Sequence, residues 1–127
     1  MVKKLNNFSI VIRTKNEERW IGHALQSALD HIYKPEIIIV DNNSNDKTIE
    51  IVKFFAENPN LNNEANNYSK IKIIKINDYS PGRALNLGVK HASNKYIMIL
   101  SAHCILRKFN EKNIIKELEK NVCVFGN

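Results

Sequence analysis

Ile37-Ile-Ile-Val-Asp-Asn-Asn-Ser-Asn-Asp-Lys-Thr48 joins an apolar run, a carboxylate, a polar turn and a helix start. An unbroken run of β-branched residues fits a strand covered on both faces, which is the environment of a parallel sheet. Asp41 then stands at the carboxyl end of that strand, where open α/β sheets bind their ligands. A nucleotide is the ligand class this placement predicts.

Strand and helix patterns alternate outward from this stretch. Residues 8–13 read as a first strand and 17–32 as a helix, with Ile21, Ala24, Leu25, Ala28, Leu29 and Ile32 forming one apolar stripe. After Pro35, residues 36–40 form the second strand. Ser44, Asn45 and Asp46 offer oxygens to cap a following helix that carries Ile49, Val52 and Phe55. Residues 57–69 are Asn-rich and lack apolar periodicity, which predicts a flexible surface loop inside the domain. The flanking pieces are each too small to fold alone.

A third strand is expected at 71–76, and Pro81-Gly82 opens a short helix bearing Ala84, Leu85, Leu87 and Gly88. Gly82 and Gly88 read as positions of close backbone approach. A fourth strand at 96–100 delivers Ser101-Ala102-His103-Cys104 to the same sheet edge as Asp41. A last helix at 110–119 and an edge strand at 122–125 complete the pattern. The fold class is therefore α/β: a three-layer α/β/α sandwich with a mainly parallel sheet, in a single domain over residues 1–127.

With 127 residues, 43% of them hydrophobic and 25% charged, the chain can bury one core and matches neither a disordered nor a fibrous class. It holds no apolar run near the roughly 18 residues of a membrane span and opens without a secretory segment, so a cytoplasmic chain is expected. Cys104 and Cys123 form no CxxC unit, and both are expected to be buried or half-buried thiols. The net charge of +6 is spread along the chain, as on solvated faces, so nucleic acid is not expected as a partner. Peripheral association with the inner membrane face stays open on charge grounds, and a homo-oligomer stays open because an edge strand invites pairing.

Four stretches carry a resemblance: Ser9-Ile-Val-Ile-Arg-Thr-Lys-Asn-Glu17, Val40-Asp-Asn-Asn-Ser-Asn-Asp-Lys-Thr48, Gly82-Arg-Ala-Leu-Asn-Leu-Gly88 and Ile99-Leu-Ser-Ala-His103. Each is weak alone, but their order and their strand-end positions agree. Together they resemble the N-terminal, nucleotide-binding half of a family 2 glycosyltransferase with the Rossmann-like GT-A fold, over nearly the whole chain.

That resemblance implies a nucleotide-diphosphate sugar as partner, with the UDP or dTDP type favoured, and an acceptor the sequence does not identify. It places Thr14, Asn16 and Glu17 beside base and ribose, with Asn43 and Ser101 also in the nucleotide site. It makes Asp41 the acceptor for a base ring N–H, a role that suits an acceptor-only carboxylate. Arg83, behind Pro81-Gly82 at a helix start, falls beside the diphosphate, with Asn86 one turn on in support. Ordinary readings stand next to these: a turn-capping Asp41, a Glu17 favoured by the helix dipole, and a solvated Arg83.

Two departures follow. Relatives carry Asp-x-Asp at Ser101-Ala102-His103, where the acids hold Mn2+ or Mg2+ against the diphosphate. Imidazole suits Mn2+ or Zn2+ better than hard Mg2+, so the implied cofactor is Mn2+ or another divalent metal on His103. Protonated His103 bonding the phosphate directly is the alternative, and a histidine satisfied by neighbours is the plain one. His23, His31 and His91 read as structural. The second departure is length, since the acceptor half and its general base lie beyond the Asp-x-Asp position and the chain reads as truncated; no residue takes the catalytic role.

Three classes remain open at this stage. A donor-binding glycosyltransferase domain comes first, a non-catalytic binding or assembly module on the same fold second. A different nucleotide-handling α/β protein is third; against it, Arg13-Thr-Lys-Asn-Glu-Glu18 supplies no Gly-rich phosphate loop.

Overall fold

The computed structural model describes residues 7–58 and 70–126. Eight elements alternate as expected: β1 (Phe8–Thr14), α1 (Ile21–His31), β2 (Glu36–Asp41), α2 (Thr48–Glu57), β3 (Ile71–Lys75), α3 (Pro81–Lys90), β4 (Tyr96–Ile99) and α4 (Glu111–Leu118). The strands form one sheet in the order β3-β2-β1-β4, every pair parallel. The chain builds outward from β1 through β2 to β3, then crosses back to lay β4 on the other side of β1. That reversal makes the gap between the carboxyl ends of β1 and β4 the topological switch point, where sheets of this kind take ligands.

Alternation along the strands sorts the side chains into two cores. Phe8, Ile10, Ile12, Ile37 and Ile39 face α1, α2 and α4, packing against Ile21, Leu25, Ala28, Val52 and Ile115. Val11, Ile38 and Val40 face α3 and meet Ala84, Leu85 and Leu87. The three-layer sandwich is thus present, with three helices on one face and one on the other. All six residues of β2 are buried, as its unbroken apolar run requires.

Several expectations are corrected. α1 begins at Ile21 rather than at 17: residues 18–20 form a turn in which the Trp20 and Ile21 N–H groups both donate to the Glu17 carbonyl, and Trp20, at a φ of −122°, lies outside helical backbone. Residues 122–125 are not a strand: they pair with nothing in the sheet, and Val122 and Phe125 are almost fully exposed. Cys104 and Cys123 are exposed thiols. Gly88 does mark close approach, since a Cβ there would strike Val11 Cγ1, whereas a Cβ on Gly82 would meet open space. The Asn-rich loop starts later than expected, because Glu57 closes α2 and Asn58 follows as its cap; residues 59–69 lie outside the described residues.

Candidate functional site at the carboxyl edge of the sheet

Parallel strands end on one side, so the last residues of β1, β2 and β4 arrive at one edge. Thr14 stands opposite Asp41 in the β1–β2 register, and its hydroxyl donates to Asp41 Oδ1 at 2.9 Å. The Ser44 hydroxyl donates to the same oxygen at 2.5 Å and the Ser44 N–H to Oδ2 at 3.0 Å. Asp41 is 1% exposed, and these bonds use three of the roughly four acceptor sites of its carboxylate. It organises the β2–α2 turn whatever else it binds.

The loops after β1 and β2 are joined by a chain of polar bonds. Asn16 donates its N–H to Ser44 Oγ at 2.9 Å and accepts from the Asn45 N–H at 2.8 Å. Glu17 N–H donates to Thr48 Oγ1 at 2.8 Å, and Glu18 N–H to Asp46 Oδ2 at 3.1 Å. Glu18 Oε2 accepts in return from the Lys47 N–H at 2.9 Å. Ser44 and Asn45 therefore clamp the neighbouring loop instead of capping α2, and only Asp46 reaches the start of the helix, through the Thr48 N–H at 2.9 Å. Desolvation raises the Asp46 pKa, but the hydroxyl and N–H of Thr48 and the N–H of Glu18 outweigh it and hold the carboxyl below its ordinary range.

On the β4 side, Ala102 turns into the core at 2% exposure, which sends Ser101 and His103 outward on either side of it. His103 Nδ1 lies 3.4 Å from Glu17 Oε1, and Ser101 Oγ lies 3.2 Å from His103 Nε2. The segment is fastened again where the Leu106 N–H donates to Ser27 Oγ of α1 at 3.0 Å. Glu17 thus links the two halves of the edge: its backbone belongs to the clamp with the β2 loop, and its side chain reaches across the switch point to the β4 loop.

The structure brings Thr14, Asn16, Glu17, Asp41, Ser101 and His103 into this connected set. Asn43 joins from the side, at a left-handed φ of 51°, with its carbonyl accepting from Lys15 Nζ at 2.6 Å. Arg83 stands apart: it pairs with Asp78, and Ser80 caps the helix that carries it by accepting the Arg83 N–H at 3.2 Å. Its loop still borders the edge, because Tyr79 accepts from Arg13 of β1 at 3.0 Å. Glu18, Asp46 and Thr48 were not singled out as site residues from sequence. Their partners lie 28 to 31 residues away, and only the Asp/Thr composition of the turn hinted at them.

The donor set fits a hard divalent ion poorly. Among the described residues no group of three His, Cys, Asp or Glu side chains converges as metal ligands would. Among the described residues Glu17 is the carboxylate that meets His103, and Asp41, Asp46 and Glu18 are committed to the loops.

A parallel sheet whose strand order reverses at β1, with helices on both faces, defines the class of doubly wound α/β folds. Within it, the chain belongs to the family "Glycosyl transferase family 2", whose model matches residues 9–127. It is 30% identical over 119 residues to the dolichyl N-acetyl-alpha-D-glucosaminyl phosphate 3-beta-D-2,3-diacetamido-2,3-dideoxy-beta-D-glucuronosyltransferase of Methanococcus voltae, a match covering 91% of this chain and 35% of that protein. It is 25% identical to the poly(ribitol-phosphate) beta-N-acetylglucosaminyltransferase TarS of Staphylococcus aureus over 80% of this chain and 17% of that one. The chain thus spans about a third or less of the length of these curated relatives. The fold also superimposes on residues 1-349 of TarS in complex with UDP-GlcNAc, with a TM-score of 0.70, 22% identity and coverage of 90% of this chain and 31% of that one. A mannosyltransferase of Pyrobaculum calidifontis, solved with GDP-Man and Mn2+, matches with a TM-score of 0.67 and 19% identity over 90% and 31%. These are GT-A fold glycosyltransferases, and the resemblance read from the four stretches is borne out.

Proposed function

We propose that residues 1–127 act as one donor-binding domain, holding a nucleotide-diphosphate sugar of the UDP or dTDP type at the carboxyl edge of the sheet. An acceptor hydroxyl would then attack the sugar C1 while the diphosphate leaves. The observation that carries this reading is the arrival of Thr14, Asp41, Glu17 and His103, from three strand ends, at one edge of the sheet, with Glu17 and His103 meeting across the switch point. Asp41 retains about one acceptor site after its loop bonds, and the base ring N–H is the donor assigned to it. Thr14, Asn16, Glu17, Asn43 and Ser101 border the nucleotide, and Arg83 the diphosphate. The UDP-GlcNAc held by TarS supports the base type; the mannosyltransferase holds Mn2+, but in this chain His103 with Glu17 beside it falls short of the ligand set such an ion needs. Positioning and stabilisation of the leaving charge would supply most of the rate.

Among the described residues no helix is long and apolar enough to cross a membrane. The charge of +6 supports a place in the cytoplasm at the inner membrane face, where anionic lipid attracts it.

The test is thermal melting with UDP and dTDP. At a hundredfold excess over Kd, binding adds about 2.7 kcal/mol, which in a domain of this size lifts Tm by about 10 °C. Asp41→Asn keeps the shape of the side chain but replaces an acceptor by a donor, and should weaken UDP at least tenfold while far-UV circular dichroism stays unchanged. No shift of Tm with either nucleotide rules the reading out.

A second reading, a binding or assembly module without turnover, is favoured by the commitment of Asp41, Asp46 and Glu18 to the loops, which leaves none of them to deprotonate an acceptor. Hydrolysis of UDP-GlcNAc to UDP by the isolated chain decides between them: turnover supports the transferase, and binding with no turnover supports the module.

A further inference from the structure

We propose that this chain binds a nucleoside diphosphate without a divalent ion, meeting the diphosphate charge with the side chains of Lys15 and Arg13. The inference rests on the donor-binding reading and says how that site is neutralised. Two sets of observations carry it. On the acidic side, each carboxylate of the edge already has a partner. Asp41 serves Thr14 and Ser44, Asp46 serves Thr48 and Glu18, Glu18 serves Lys47, Asp78 serves Arg83 and Glu17 faces His103. Drawing two of them onto one ion would break the clamp that shapes the loops. On the basic side, Lys15 and Arg13 have only neutral partners among the described residues, the Asn43 carbonyl and the Tyr79 hydroxyl.

Those two cations are therefore uncompensated charges at the edge. Lys15 follows Thr14 past the end of β1 and bonds to the Asn43 carbonyl, so its ammonium stands at the carboxyl edge of the sheet. Arg13 is fixed by Tyr79 on the side of the sheet that carries α3 and Arg83. Phosphate oxygens would exchange a neutral acceptor for a charged one at each cation, which strengthens the hydrogen bond. Arg83 is already balanced by Asp78, so removing it should matter less than removing Lys15.

The experiment is calorimetric titration of the full chain with UDP and with uridine, in buffer containing EDTA and in buffer containing MnCl2. The expected result is a UDP Kd that agrees within about threefold between the two buffers. Lys15→Met should weaken UDP in EDTA by about tenfold or more and leave uridine unchanged, because uridine has no phosphate to lose. UDP binding that appears only with Mn2+ overturns the proposal, as does a Lys15→Met chain that binds UDP normally or loses uridine and UDP alike. If neither UDP nor uridine binds the wild-type chain in either buffer, the donor-binding reading itself falls and takes this inference with it.

Discussion

Glu36 anchors the sheet at the edge remote from the candidate site. It is 5% exposed and accepts from the Ser9 hydroxyl at 2.7 Å, the Ser93 N–H and hydroxyl at 2.8 Å each, and Lys72 Nζ at 3.0 Å. Burial alone raises its pKa, but the bonds from Ser9, Ser93 and Lys72 outweigh it and hold the carboxyl at about 2 against the usual 4.5. A folded-state pKa below the unfolded one stabilises the fold above the unfolded value and is lost as pH falls through 4.5 towards 2. That difference is worth about 3 kcal/mol at neutral pH. Glu36→Gln should lower stability by about that amount in urea melts at pH 7, and by less than half of it at pH 3. An equal loss at both values would show that the carboxylate charge is not what counts.

Two elements of the fold depend on single contacts that mutation can test. α3 lies close to β1 because Gly88 has no side chain; an added Cβ would strike Val11 Cγ1 and crowd Cγ2 at 3.2 Å. Gly88→Ala should cost about 1 to 3 kcal/mol by overpacking, and adding Val11→Ala should return part of it, read as positive coupling in a double-mutant cycle. The start of α1 depends on the clamp from the next loop, where Thr48, fully buried, accepts the Glu17 N–H. Thr48→Val keeps the volume and removes that bond, and should cost about 1 to 3 kcal/mol in chemical denaturation. It should also weaken UDP, since Glu17 is then no longer held towards His103. Sequence periodicity located both helices within a few residues. It missed the true start of α1, because the turn before it is held by Thr48 and Asp46, which accept the Glu17 and Glu18 N–H groups from 31 and 28 residues away.

At the scale of the whole chain, α4 is the last element among the described residues. Its Ile114, Ile115 and Leu118 pack against the core of the α1 face, whereas Val122, Val124 and Phe125 remain exposed and in no element. Deleting residues 122–127 should therefore shift Tm by less than about 2 °C, the range of surface changes remote from packing. A large drop would mean that this segment covers part of the core.

Periodicity alone determined the alternation of strands and helices, the parallel sheet and the edge to which Thr14, Asp41, Ser101 and His103 are delivered, because side-chain spacing and the direction of parallel strands are local properties. The order of the strands, the meeting of Glu17 with His103, the clamp through Asn16, Glu18, Asp46 and Thr48, and the burial of Glu36 against Ser93 were decided only in three dimensions. The last three join residues 28 to 86 positions apart. A hydrogen bond depends on distances of about 3 Å, and no periodicity along the chain encodes which two distant loops will come that close.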